Sequence, residues 1–396
     1  MSEWKECTIA DLGEVVGGAT PSTKKPENYE NGDISWITPK DLSTFSGRYI
    51  LHGERNITEI GLNSCSTRLL PPNTVLFSSR APIGYVAIAA KEMCTNQGFK
   101  SVIPNTDTDF MFLYYLLKYN RNNIENMGSG TTFKEVSGNT MKSIKVCVPV
   151  DIDEQRRIGA VLSAIDDKIE LNTTINENLE QQAQAYFVDL FITNADPNWR
   201  IGTISDLGKV VGGGTPSKKV EEYYTSDGIA WITPKDLSND KSKFVAHGET
   251  DITELGLAKS SATLMPKGTV LFSSRAPIGY IAIADGQVCT NQGFKSIVPF
   301  DNVGTAFVYY FLKENLSAIE NVASGSTFKE VSGSTMKNFT VIIPDNDTLA
   351  EFQRFCSPLF EQQRALEYEN RYLSSIRDTL LPKLMNGEID VSEVRI

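Results

Sequence analysis

Two stretches of the chain carry apolar residues at alternating spacings of three and four, the pattern of a long amphipathic helix. The first lies within 150–198 and has no proline or glycine between Ala160 and Ile192. The second lies within 345–396. At 1.5 Å per residue, roughly 40 helical residues in each predict rods of about 60 Å, longer than a single domain of this size needs.

Polar residues interrupt both apolar series at core positions, namely Asn172, Asn176, Gln363 and Asn370. A buried amide at such a position fixes the register of paired helices at some cost in stability. We therefore predict that the two helices pair as an intramolecular antiparallel coiled coil; the alternative is that each packs separately on its neighbouring domain. Pro358 is expected to kink the second helix or to start its longer half, with Ser357 as N-cap, and Pro382 to end or kink it.

The remainder of the chain is one sequence present twice at an offset of 195 residues. Between residues 4–149, which we call repeat 1, and 199–344, which we call repeat 2, 83 of 146 aligned positions are identical. The matched motifs are WITPKDLS (36–43, 231–238), TVLFSSRAPIGY (74–85, 269–280), CTNQGFKS (94–101, 289–296) and TFKEVSG (132–138, 327–333).

Each repeat has the pattern of a mixed α and β domain. Segments 74–79, 85–90 and 143–149 read as strands and 109–127 as an amphipathic helix, with glycine-rich loops at 16–22 and 127–132. The fold class is therefore α+β: two similar mixed α/β domains separated by two long antiparallel helices, with an approximate two-fold relation. The predicted domain boundaries are 1–150, 151–198, 199–344 and 345–396.

The formal charge of −11 arises from the helical segments, which carry −7 (151–198) and −4 (345–396), while residues 1–150 and 199–344 are each neutral. A polyanion would therefore meet the repeats and be repelled by the helices. No apolar run reaches the ~18–20 residues of a membrane span, and the N-terminus has no apolar signal segment, so we expect a cytoplasmic protein without membrane contact. Six cysteines without CxxC spacing indicate reduced thiols.

The chain lacks the motifs of common enzymes. We find no GxxxxGK[ST] phosphate loop, no Asn/Asp-Pro-Pro-Tyr/Phe tetrapeptide of an adenine methyltransferase and no G-x-S-x-G nucleophile elbow. Asp345 and Glu351 only weakly resemble a nuclease site, because no lysine follows at the required place. For His52 and His247, which occupy matched positions in an HGE tripeptide, the sequence favours a capping role or a surface hydrogen bond over a catalytic role. We predict no catalytic residue, no cofactor and no metal.

The residues that remain suit binding to DNA. Cationic and amide side chains recur at matched positions beside Thr, Ser, Asn or Gly, as phosphate clamping and base readout require. The dipeptides Asn96-Gln97 and Asn291-Gln292 can offer amides to adenine. The alternative is that these are ordinary salt bridges or turns, with each arginine in a buried ion pair. The candidates are Lys40, Arg80, Asn96, Lys100, Lys134, Lys235, Arg275, Asn291, Lys295 and Lys329.

From Trp4 to about Val391, the combination of these motifs resembles the specificity subunit of type I DNA restriction–modification systems. W-I-T-P-K-D-L, L-F-S-S-R-A-P-I-G and T-N-Q-G-F-K-S occur in both repeats, and the helical segments EQRRIGAVLSAIDDKIELNTTINENLE and IRDTLLPKLMNGEI match equally well. The resemblance implies a non-catalytic subunit whose repeats are target recognition domains, each binding half of a bipartite site in double-stranded DNA. It further implies two DNA adenine methyltransferase subunits docked on the helices, joined by restriction/translocase subunits.

The chain departs from that pattern because target recognition domains usually differ widely within one chain. Identical readers related by a two-fold axis would read an interrupted palindrome. Divergence at 44–50 against 239–245 and at 63–68 against 258–263, where Arg48 and Arg68 face Lys243 and Thr263, leaves open half-sites that differ. Two other functions also stay open: the recognition half of a different split methyltransferase or cleavage–modification enzyme, and a DNA-independent coiled-coil scaffold.

Overall fold

The computed structural model describes residues 3–130, 134–325 and 329–394. The last residues of the predicted loop 127–132 and the first two residues of each TFKEVSG motif lie outside these ranges. Contacts divide the chain into two compact units, which we call unit 1 (residues 1–171 and 371–396) and unit 2 (172–370). Each unit contains one repeat and part of both long helices. The predicted domain boundaries stay a prediction.

Both repeats build a mixed five-stranded sheet with the same strand order. Its neighbouring strands are antiparallel except at one edge, where a two-residue strand pairs in parallel. The central strand is buried along its whole length, which explains the apolar run Val-Leu-Phe at its start; the two serines that follow are buried as well. In spatial order the strands are Gly13–Gly17, Lys100–Pro104, Val75–Ser79, Ile83–Ala89 and Tyr49–Ile50 in repeat 1, and Gly208–Gly212, Lys295–Pro299, Val270–Ser274, Ile278–Ala284 and Phe244–Val245 in repeat 2.

Shorter ladders complete each repeat. Its first and last strands pair with each other and so close the repeat, Trp4–Thr8 with Lys145–Pro149 and Arg200–Thr203 with Thr340–Ile343. A separate ladder carries the WITP and TNQG motifs. In repeat 1 it consists of Arg55–Ile57, Ile34–Ile37 and Cys94–Thr95. In repeat 2 the corresponding strands form two separate pairs, Trp231–Ile232 with Cys289–Thr290 and Tyr224–Thr225 with Asp251–Ile252.

The amphipathic helix predicted over 109–127 is two helices. Asn120 leaves the helical region, with ψ of 4°, and separates Phe110–Tyr119 from Arg121–Asn126. Residues 112–117 are buried, because this helix packs on the sheet and on the long helices. The remaining helices of the repeats are Ile9–Leu12, Pro39–Ser43, Glu59–Asn63, Gly138–Ser143, Pro234–Asn239, Glu254–Ala258, Thr305–Glu314, Leu316–Asn321 and Gly333–Lys337, with 3-10 turns at Pro26–Asn28, Ile204–Asp206 and Glu221–Tyr223.

The two long helices are confirmed. The central helix spans Ile152–Val188 and continues as a π-helical turn, Asp189–Thr193; the distal helix spans Asn346–Met385. The distal helix contains Pro358 and does not start there, and Ser357 is not an N-cap. Its hydroxyl instead donates to the carbonyl of Gln353, four residues earlier, at 2.8 Å.

Within unit 2 the helices run antiparallel and join through the predicted amides. Asn172 is fully buried and donates to Oδ1 of Asn370 at 2.9 Å. The side-chain amide of Gln363 donates to the backbone carbonyl of Asn176 at 3.1 Å. The hydroxyl of Tyr186 donates to the carboxylate of Glu351 at 2.5 Å. From Asn172 to Tyr186 the residue number rises along the central helix, while the number of the hydrogen-bonded partner on the distal helix falls from 370 to 351, as in an antiparallel pair. The alternative of separately packed helices is therefore wrong.

Each unit inserts one cation from the segment before its edge strand into a polar pocket on the long helices. In unit 1, Arg48 is 4% exposed and pairs with Asp167 and Glu170. In unit 2, Lys243 is 7% exposed and lies 2.7 Å from Glu180. Arg48 and Lys243, which differ between the repeats, therefore each bind carboxylates of the central helix within their own unit. Because both are buried, neither side chain is available to read a base.

We expect acidification from pH 5 to pH 2 to destabilise unit 2 through Glu180. Burial alone would raise the pKa of this carboxyl group, but the ammonium groups of Lys243 and Lys313 outweigh burial and lower the pKa from 4.5 to about 2. A carboxyl group with a lowered folded-state pKa contributes stability above its unfolded pKa and loses it as the pH falls through the folded value. The contribution at stake is about 3 kcal/mol.

Urea unfolding of the wild-type chain and of Glu180→Gln across this pH range measures that contribution. The variant should be less stable at pH 6 but lose less on acidification. Equal acid sensitivity of the two proteins would contradict the assignment.

Candidate nucleic-acid interface

Parallel strand pairing brings two of the repeated motifs to one edge. In repeat 2, Trp231–Ile232 pairs in parallel with Cys289–Thr290, so the loops TPKD and NQGF leave the ladder on the same side. The backbone N–H of Asn291 donates to the carbonyl of Ile232 at 3.0 Å and so joins the two loops. Repeat 1 has the same pairing register.

The loop GGGTPS is fixed against these two loops. The amide of Gly214 donates to the carbonyl of Thr290 at 2.8 Å, and the indole of Trp231 donates to the carbonyl of Gly214 at 2.9 Å. A Cβ atom at Gly213 would lie 1.9 Å from the carbonyl oxygen of Asn291, so this close approach requires glycine. The matching contacts recur at Ala19 in repeat 1.

The turn SSRAP supplies the fourth wall. The amide of Ser274 donates to the carbonyl of Gly293 at 2.7 Å, which places Arg275 beside the NQGF loop. The four loops and Glu249-Thr250 surround an open space of about 500 Å³, which we call the cleft of repeat 2. Among the candidates, Lys235, Arg275 and Asn291 line it.

The structure gives the two amides of the NQ dipeptide different roles. Oδ1 of Asn291 accepts from the amide of Gly293 at 2.8 Å, and Asn96 does the same in repeat 1, so the asparagine shapes the turn. Gln292 is exposed at the cleft, and its side-chain oxygen accepts from the hydroxyl of Thr215. A carbonyl oxygen has two lone pairs, so this glutamine can still accept from adenine N6 and donate to N7.

Gln97 and Gln292, with Thr20 and Thr215, are thus better base-reading candidates than the asparagines. Repeat 1 makes the same threonine–glutamine hydrogen bond. Sequence inspection had found the dipeptide, and the Asn-x-Gly spacing of an Asx turn was the signal that could have separated the two amides.

The arginine and one lysine share a carboxylate. Arg275 and Lys295 lie 3.5 and 3.3 Å from the two oxygens of Glu330, and Lys295 also lies 3.4 Å from the hydroxyl of Ser274. The Arg275 side chain is 37% exposed. Repeat 1 has the same arrangement of Arg80, Lys100 and Glu135. The alternative of a buried arginine ion pair does not hold, because these contacts are long and open to solvent.

The other lysine candidates are exposed. Lys40 pairs with Glu54 at 2.7 Å and Lys235 with Glu249 at 2.6 Å, all at least 64% exposed. Such pairs contribute about 0–1 kcal/mol, so an incoming phosphate can replace the carboxylate. Lys134 and Lys329 are exposed and adjoin Glu135 and Glu330 in sequence.

The divergent arginine at 68 also has a partner within the protein. Arg68 pairs with Glu14 at 2.5 Å on the surface, with 54% of its side chain exposed. The burial of Arg48 and Lys243 weakens the case for base readout by 44–50. The Arg68–Glu14 pair is as exposed as the lysine pairs and leaves readout by 63–68 open.

Within residues 3–130, 134–325 and 329–394, no three or more His, Cys, Asp or Glu side chains form a group suited to a metal ion. No helix in these ranges combines the length and apolar character required to cross a membrane.

Comparison with known proteins gives one family. Residues 1–181 and 197–367 match the model of the type I restriction modification DNA specificity domain. The chain is 33% identical to the type I restriction enzyme MjaIX specificity subunit of Methanocaldococcus jannaschii, over 99% of this chain and 95% of that protein. It is 25% identical to the HindI specificity subunit of Haemophilus influenzae, over 98% of this chain and 100% of that protein.

A solved structure shares the fold. The crystal structure of a type I restriction–modification S subunit from M. genitalium aligns with a TM-score of 0.60 at 16% identity, over 97% of this chain and 96% of that one.

Proposed function

We propose that this chain, which belongs to the family of type I restriction–modification DNA specificity proteins, binds a bipartite site in duplex DNA with one half-site at each repeat. As a specificity subunit it recognises DNA and is not the catalytic component. The observation that carries the bipartite site is the duplication of the same loops, with glutamine, arginine and lysine side chains in the same contacts.

The chemistry of the loops supports duplex DNA as the ligand. Glutamine suits adenine, arginine suits guanine, and lysines in exposed pairs suit phosphates. Neutral repeats with cations gathered at these loops permit close approach to a polyanion, whereas the acidic helices do not.

We further propose that the helices dock two DNA adenine methyltransferase subunits, with restriction/translocase subunits joining the complex. Leu171 on the central helix and Tyr372 on the distal helix are 54% and 68% exposed. Large exposed side chains on helical segments that carry a net charge of −11 suit a protein partner better than DNA.

Selection from random duplexes tests the DNA proposal. The purified chain, alone and with co-expressed methyltransferase subunits, should enrich duplexes with two short conserved sequences at fixed spacing. Binding should weaken steeply as salt rises, because phosphate contacts release counterions. A chain that copurifies with the methyltransferase but enriches no duplex would refute DNA readout by the repeats; DNA binding without copurification would refute docking.

A further inference from the structure

The cleft of repeat 2 and the matching positions of repeat 1 differ at two places. Fourteen residues line the cleft, and twelve of them are identical in repeat 1. The exceptions are Lys218, which matches Thr23, and Thr250, which matches Arg55. Repeat 1 therefore has a cation at position 55 that repeat 2 lacks, and repeat 2 has one at position 218 that repeat 1 lacks.

Arg55 is presented outwards by an aromatic support. Its guanidinium lies 4.6 Å from the centre of the Tyr29 ring, and Tyr29 is fixed by a 2.6 Å hydrogen bond from its hydroxyl to the carbonyl of Pro21. Arg55 is exposed and pairs across the ladder with Trp36, which matches a residue of the cleft wall. Packing on the ring orients the planar guanidinium group of Arg55 and leaves its N–H groups available to donate hydrogen bonds to a ligand.

The same support persists in repeat 2 without its arginine. The hydroxyl of Tyr224 donates to the carbonyl of Pro216 at 2.7 Å, but the matching position holds Thr250, which is too short to stack over the ring. The second cleft gains Lys218, an exposed residue three positions beyond Thr215. The cleft of repeat 2 and the matching positions of repeat 1 thus share twelve residues and differ at two exposed or half-buried positions.

Arg55 and Lys218 also differ from the shared cleft cations. Lys235 and Arg275 each have a carboxylate partner. In the described part of the chain, neither Arg55 nor Lys218 has a carboxylate within ion-pair distance. Exposed cations without an internal partner are the ones available to an external base edge or phosphate.

We infer, on the basis of the proposed function, that positions 23/218 and 55/250 make the two repeats read half-sites that are related but different. The common base pairs are read through the shared glutamine and arginine. Next to them, Arg55 reads a guanine through O6 and N7 in the repeat 1 half-site. Thr250 cannot make that bidentate contact, so the repeat 2 half-site has no such requirement, and Lys218 gives it a contact that Thr23 does not supply.

Two reciprocal double variants test this inference. Thr23→Lys with Arg55→Thr gives repeat 1 the cleft lining of repeat 2, and Lys218→Thr with Thr250→Arg does the reverse. Each variant then has the same fourteen residues at the matched positions of both repeats, without a change in net charge. Both exchanges involve exposed or half-buried side chains, so folding should be preserved.

Selection from random duplexes with the full chain should give two half-sites that differ for the wild type. Each variant should give two half-sites that match at the base pairs next to the common ones, with the guanine absent from both in the first variant and present in both in the second. Its preference over other bases should be about tenfold or more.

Ser64→Lys with Arg68→Thr is the matched control. It also moves repeat 2 residues into repeat 1, losing one exposed arginine and gaining one lysine, but outside the cleft lining. It should leave both half-sites unchanged. Identical wild-type half-sites, or convergence in the control but not in the cleft variants, would overturn the inference. Failure of the wild type to enrich any duplex would refute the proposed function instead.

Discussion

Replacement of Lys243 by methionine should destabilise unit 2 by about 3–5 kcal/mol, because it removes one partner of a buried ion pair. Lys243 donates to Glu180 at 2.7 Å, to Gln363 at 2.9 Å and to the hydroxyl of Tyr310 at 3.1 Å. Its ammonium also lies 3.7 Å from the centre of the Phe360 ring. Methionine fills much of the volume but leaves the carboxylate of Glu180 with Lys313 as its remaining cation.

Urea unfolding near neutral pH measures this loss. Lys235→Met is the matched control, since that lysine pairs with Glu249 at a similar 2.6 Å but on the surface, and it should cost less than about 1 kcal/mol. The double variant Lys243→Met with Glu180→Gln should recover part of the stability, because the poorly compensated buried carboxylate is gone and Lys313, which loses its partner, is 31% exposed. Similar losses for Lys243→Met and Lys235→Met would show that Lys243 is not an anchor.

The long-range architecture was predictable because its signals are repeated or periodic. The offset of 195 residues revealed the two copies, and the series of spacings three and four revealed the helices. The amides at Asn172 and Asn370 indicated the pairing that the structure shows, since a polar residue at a core position needs a partner.

The errors come from contacts that a local pattern does not encode. Arg48 appears as a surface cation in sequence, yet it is buried in ion pairs with Asp167 and Glu170. A local pattern could not show this, because both partners lie more than a hundred residues away in the chain. The prediction that a helix starts at Pro358 is wrong, because the distal helix continues through this residue. Packing over many residues outweighs the loss of one backbone hydrogen bond.

The candidate site was predicted at the level of segments and less well at the level of side chains. The shared motifs do meet at one cleft, and three of the five repeat 2 candidates line it. Identity between copies could not distinguish Asn291, which shapes a turn, from Gln292, which faces the cleft, because folding and binding preserve residues equally. Conversely, Arg55 and Lys218 were passed over because they are not shared.

Arg80→Ala and Arg275→Ala should each weaken duplex binding by about 10- to 100-fold, with each loss confined to one half-site. Each arginine faces the shared loops and lies 3.5 Å from a carboxylate that it shares with a lysine. Because both side chains are about one-third exposed, their removal leaves no buried charge unpaired. Thermal stability should therefore change little, and the double variant should lose binding to both half-sites.

Titration of labelled duplexes, with either half-site scrambled in turn, measures each effect separately. Glu135→Gln and Glu330→Gln are the informative controls, since they remove the carboxylate that competes with DNA for Arg80 with Lys100 and for Arg275 with Lys295. They should strengthen binding and increase its salt dependence, the opposite of the arginine variants. If instead the arginine variants melt at lower temperature and bind DNA normally per folded molecule, the arginines hold the SSRAP turn together and do not contact the half-sites.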